Sequence, residues 1–230
     1  MEIYSVTKAL HYAIGVVALA SFWTAGFTRK GSPVHKGAGK IYLLAMVGIL
    51  LSAGVMAILA ALHKPSPLIA FLGYLIVITA TSCWLSWRAI RDKRDFQRYT
   101  GPVYRTLELL NPAAGIAIMA LGLSINSILF AGFSLIGIFS GIGMYRMRRR
   151  GMEHSLWWRW EHVSAMIGNG VATHIAFLSI GLPKIFPGLA GPSLQNLAWF
   201  GPLLIATALG VWLKRKYAPV AKKLPIAANA

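Results

Sequence analysis

Apolar residues fall in seven long stretches along the chain, each bounded by short clusters of charge, proline or glycine. The stretches run from about Tyr4 to Thr28, Gly37 to Leu62, Leu68 to Trp87, Val103 to Ile125, Ser127 to Tyr145, Trp157 to Leu182 and Leu194 to Leu213. A hydrocarbon core about 30 Å thick needs roughly 20 apolar residues in a helix, and each stretch supplies them. The pattern predicts an all-α membrane protein, a seven-transmembrane-helix bundle over residues 1–218 with a short tail over 219–230. The weakest break is Ser124-Ile125-Asn126-Ser127, where the fourth and fifth spans form a tight hairpin. Pro102 stands at a helix start, and Pro112 and Pro202 are expected to kink their spans. Gly137 and Gly141 form a small-xxx-small pair that favours close helix packing. No internal repeat is visible, so an inverted-repeat transporter finds no support.

Composition agrees with lipid as the solvent. Of 230 residues, 57% are hydrophobic and 13% charged, against about 25% charged in soluble domains. The net charge of +17 does not indicate nucleic acid, because the cations sit in short clusters between apolar spans. Twenty of the 23 Lys and Arg residues fall in the first, third and fifth loops and the tail. Only Lys8, Lys64 and Lys184 lie on the other side. Basic residues near span ends stay cytoplasmic, so the N-terminus is expected outside and the C-terminus in the cytoplasm. Lys8 followed by an apolar run and Ala18-Leu19-Ala20 loosely fits a signal peptide. The run continues through Phe27, so an uncleaved first span is the expectation. Cys83, the single cysteine, reads as a small apolar residue. Trp84, Trp87, Trp157, Trp158 and Trp160 read as an interfacial aromatic belt.

Ionisable groups within spans are costly and mark candidate sites. An outer layer holds His11, His63 and His174. Counting from the span ends places His11 and His174 level, each with a glycine one turn deeper, Gly15 and Gly170. A side-chain gap beside a level histidine pair would admit haem b with two axial imidazoles. His63 is a third ligand or a surface residue. An inner layer holds His35, Glu108, Asn111, Glu161, His162 and Asn169, with Arg105 nearby. His35 and His162 are candidates for a second haem, so that two haems would carry electrons across the membrane to a quinone or another redox partner. Plainer readings stand beside these. His35 also reads as a loop residue at the headgroups, and Glu108 as the partner of Arg105. Glu161 reads as the partner of Arg105 or Arg159, Asn111 and Asn169 as interhelical hydrogen bonders, and His154 as interfacial. Zinc needs three or four N, O or S ligands. His11, His63 and His174 offer an outer set, and Glu108, Glu161 and His162 an inner one.

The segment HKGAGKIYLLAMVGILLSAG (His35 to Gly54) resembles the opening of a span in uncharacterised bacterial multi-pass membrane proteins. WEHVSAMIGNGVATHIAFLSIGL (Trp160 to Leu182) and LAWFGPLLIATALGVWLKRKY resemble their later and closing spans. That resemblance implies about seven helices and an inner-membrane location, with no established reaction. A looser likeness to b-type cytochromes implies haem held by His11, His174, His35 and His162. Three functional expectations follow: a haem-binding electron-transfer protein, a zinc-dependent membrane lipid hydrolase similar in outline to seven-helix lipid amidases, and a non-catalytic carrier or complex subunit.

Overall fold

The computed structural model describes residues 2–217 apart from Glu153, Leu182, Lys184, Ile185 and Ala190; the tail over 219–230 lies outside the described residues. Helices account for nearly all of it: α1 (Glu2–Phe27), α2 (Pro33–His63), α3 (Pro67–Arg91), a short α4 (Phe96–Tyr99), α5 (Pro102–Ser124), α6 (Ile128–Arg150), α7 (Trp157–Ile175) and α8 (Pro192–Tyr217). A π-helical turn, Ala176–Gly181, continues α7. Seven helices are long and apolar enough to cross a membrane, in the order and nearly the positions that the apolar stretches predict. Large apolar side chains such as Leu44, Leu109, Ile128 and Ile205 point away from the bundle. In water that surface would be prohibitive; in lipid it is the expected outer coat.

The starts and stops follow local chemistry. Proline opens α2, α3 and α5, where its missing N–H costs nothing. Ser32 caps α2 by accepting from the His35 amide at 3.1 Å. The α5–α6 turn places Asn126 at φ 53, a left-handed position that asparagine tolerates, and Ser127 caps α6. Pro112 and Pro202 lie inside continuous helices.

Three helix pairs build the bundle. α1 packs along α2, α5 along α6, and α3 along α7 at the centre, with α8 against α7. The α5–α6 seam is the tightest. A Cβ on Gly137 would sit 2.7 Å from the Asn111 carbonyl oxygen, and one on Gly141 would collide with the Pro112 ring. Gly115 and Gly122 meet α6 backbone equally closely from the other side. The predicted glycine pair is therefore half of a two-sided seam. Tyr74 of α3 locks the same region. Its hydroxyl donates to the Phe133 carbonyl and accepts from the Gly137 amide, both at 2.8 Å.

One feature of the basic end corrects the aromatic-belt reading. Asp95 caps α4 by accepting from the Arg98 amide at 2.8 Å, and α4 delivers Tyr99 into the bundle, where it is fully buried. Tyr99 packs against Trp84, Tyr104 and Trp157. Trp84 and Trp157 are thus part of a core cluster, whereas Trp87 stays exposed beneath Arg91.

Candidate functional site

Four of the five histidines in the membrane-spanning helices share a posture. The Nδ1 of His35 lies 3.0 Å from the Ala25 carbonyl oxygen, that of His162 3.0 Å from the Ser86 carbonyl oxygen, and that of His174 2.7 Å from the Gly170 carbonyl oxygen. A carbonyl only accepts, so each Nδ1 carries the proton. His11 Nδ1 lies 2.8 Å from Ser52 Oγ, and that hydroxyl already donates to the Gly48 carbonyl, so it accepts from His11. In every case the Nε2 lone pair is left over. Metal-ligating histidines are held in this way, with the second ring N–H given to an outer partner.

His11 and His174 are not level. The His174 ring packs against Phe22 and Trp23 of α1, with ring centroids 5.5 and 5.3 Å apart. Phe22 is eleven residues beyond His11, roughly 16 Å further along the helix at 1.5 Å per residue. The notch at Gly170 holds the Phe22 ring, 2.6 Å from where a Cβ would lie, so a macrocycle has no space there. Counting inward from the span ends assumed that all helices end in one plane; the seating of Phe22 on Gly170 sets a different offset between α1 and α7.

His35 and His162 lie at the same end of α2 and α7, within electrostatic reach of each other. Thr173 of α7 meets two residues of α2: its hydroxyl lies 2.9 Å from Tyr42 Oη and 3.8 Å from Met46 Sδ. His35 is eleven residues before Met46, and His162 eleven before Thr173. Eleven residues are about three turns, so each histidine lies roughly 16 Å below that contact on a similar face of its own helix. His162 accordingly lies within electrostatic reach of His35 and of Lys30. His35 sits in the first turn of α2, half-buried, which corrects its reading as a loop residue. The Ala25 carbonyl that orients it also accepts from Lys30 Nζ at 2.9 Å, and partial burial pulls the Lys30 ammonium below its ordinary value. On the far side, Ser86 and Asn169 fasten α3 to α7 next to His162. Asn169 Nδ2 donates to Ser86 Oγ at 3.4 Å, and the Cys83 thiol donates to Asn169 Oδ1 at 3.3 Å. Two imidazoles with Nε2 left over thus stand on different helices at one end of the bundle.

The carboxylates go elsewhere. Glu108 is gripped at both oxygens by Arg148, at 2.7 and 2.8 Å, and not by Arg105. Glu161 accepts from the Tyr99 hydroxyl at 3.0 Å, in place of an ion pair with Arg105 or Arg159. Burial, then the nearby Glu161, pushes the Tyr99 phenol well above its ordinary value. Asn111 donates to Thr81 Oγ1 at 2.9 Å. His63 is exposed at the end of α2, and His154 is a surface residue accepting from the Leu156 amide. Among the described residues, no three His, Cys, Asp or Glu side chains come together as a metal-holding group. Neither zinc set, His11 with His63 and His174 or Glu108 with Glu161 and His162, is assembled.

No family model, no curated protein and no solved structure matches the chain.

Proposed function

We propose that this multi-pass membrane protein holds haem b at its basic end through His35 of α2 and His162 of α7 and serves electron transfer. What carries the reading is the pair itself: two imidazoles at the same end of α2 and α7, each proton fixed on Nδ1 by a backbone carbonyl, each Nε2 left over. Haem b bound there would supply a one-electron couple. The residues of the chain supply orientation and charge. Ala25 and Ser86 aim the two rings, and Lys30 adds a positive group nearby. His11 and His174 are not assigned to a shared haem.

The orientation belongs to the same proposal. The loop carrying Arg29, Lys30, Lys36 and Lys40 reads as cytoplasmic, with the N-terminus outside and the chain in the inner membrane. The redox partner, a quinone or a protein, would then meet the site from the cytoplasmic side.

The test is haem content and absorption after gentle purification. The wild-type protein should show a Soret band, lost in His35→Ala and in His162→Ala and kept in His11→Ala and His174→Ala. A colourless protein that takes up no haem ends the proposal. The second reading, a non-catalytic carrier or complex subunit, then gains. It draws on the polar pairs Glu108–Arg148 and Tyr99–Glu161, which satisfy one another within the bundle.

A further inference from the structure

The α1–α2 hairpin differs from the rest of the molecule in charge. Between Glu2 and Asp92 the chain has no acidic residue, yet the connection and the start of α2 carry Arg29, Lys30, Lys36 and Lys40. Elsewhere at this end, three arginines have carboxylate partners among the described residues. Arg88 and Arg98 meet Asp92, and Arg148 meets Glu108. Among the described residues, none of the four hairpin cations pairs with a carboxylate. Lys30 Nζ is spread over the last carbonyls of α1, those of Ala25 and Gly26, which fixes its position and leaves a third N–H. The same hairpin bears an apolar crevice walled by Val16, Val17, Ala20, Thr24 and Ile41, with Ser21 and Ala38 as its buried floor. Val16 and Thr24 are eight residues apart, so the crevice runs about 12 Å along α1. Thr24 ends it about one and a half turns before Arg29.

We infer that the α1–α2 hairpin binds an anionic phospholipid, with an acyl chain in the crevice and the headgroup phosphate against Arg29 and Lys30. An apolar trough leading to uncompensated cations matches the two halves of such a lipid. A zwitterionic lipid fills the trough equally well but gains less from the cations. Juxtamembrane basic residues each strengthen attraction to anionic lipid by roughly fivefold. The headgroup end adjoins the His35–His162 pair, since Lys30 and His35 share the Ala25 carbonyl, but the inference does not rest on haem.

Native mass spectrometry of the full chain tests it, with phosphatidylglycerol and phosphatidylcholine of identical chains as probes. Phosphatidylglycerol should bind at least about fivefold tighter, and the double variant Arg29→Gln/Lys30→Gln should lose about twentyfold in phosphatidylglycerol affinity with little change for phosphatidylcholine. Ala20→Phe, which fills the crevice, should weaken both lipids. Arg149→Gln/Arg150→Gln should change neither. Equal affinity for the two lipids, a preference that survives in the double variant, or an unaffected Ala20→Phe protein would each overturn the assignment. So would a dimer that dissociates on Ala20→Phe, since a second copy would then own the crevice. If the double variant does not fold, Arg29→Gln alone, with a fivefold loss expected, carries the charge arm.

Discussion

The Tyr74 hydroxyl shows how a single residue shapes this bundle. It stands where an ordinary helix bond would join the Phe133 carbonyl to the Gly137 amide, and it satisfies both groups from outside α6. Tyr74→Phe removes that bridge and leaves buried backbone groups to find each other again. The cost should be about 1–3 kcal/mol, read as a lower unfolding midpoint in detergent, with helix content unchanged. An unaltered midpoint would mean that α6 reforms its own bond without loss. Histidine posture is set at the same scale. Carbonyl acceptors decide which ring nitrogen is free, and a sequence does not reveal which carbonyl a ring will find.

At the scale of elements, close approach is governed by glycine. Gly141→Ala would press a methyl group into the Pro112 ring and toward the Glu108 carbonyl oxygen, 2.7 Å away. Overpacking of this kind costs about 1–3 kcal/mol. Gly15→Ala, on the first span, meets nothing within 4 Å and should be nearly neutral in the same thermal assay. Equal effects of the two substitutions would contradict the seam. The Glu108–Arg148 pair belongs to this hairpin as well. The turn at Asn126 sets Glu108, eighteen residues before it, near the residues eighteen and more after it, and Arg148 is twenty-two after. That register was readable from the tight turn. Arg105, one turn before Glu108, is the nearer cation in sequence but not in the fold. The helices themselves were legible because lipid imposes length and hydropathy on every span. The offset between α1 and α7 was not, because it depends on one aromatic ring entering one glycine notch. α4 was missed because it is a single turn, although Asp95 is a capping residue in the right place.

At the scale of the whole molecule, the two ends do different things. One half of the bundle is closed by packed aromatics from α3, α6 and α8, Phe71, Phe130, Phe133 and Trp199 among them. The basic end gathers the histidine pair, the cation-rich hairpin and the Tyr99 cluster. Electron transfer at that end requires the His35 and His162 imidazoles to act together on one iron. The electron paramagnetic resonance spectrum of the oxidised, purified protein addresses this directly. It should show a low-spin, six-coordinate ferric signal that is lost in His35→Ala and in His162→Ala. A low-spin signal surviving in both variants, or no haem signal in the wild-type protein, would contradict it.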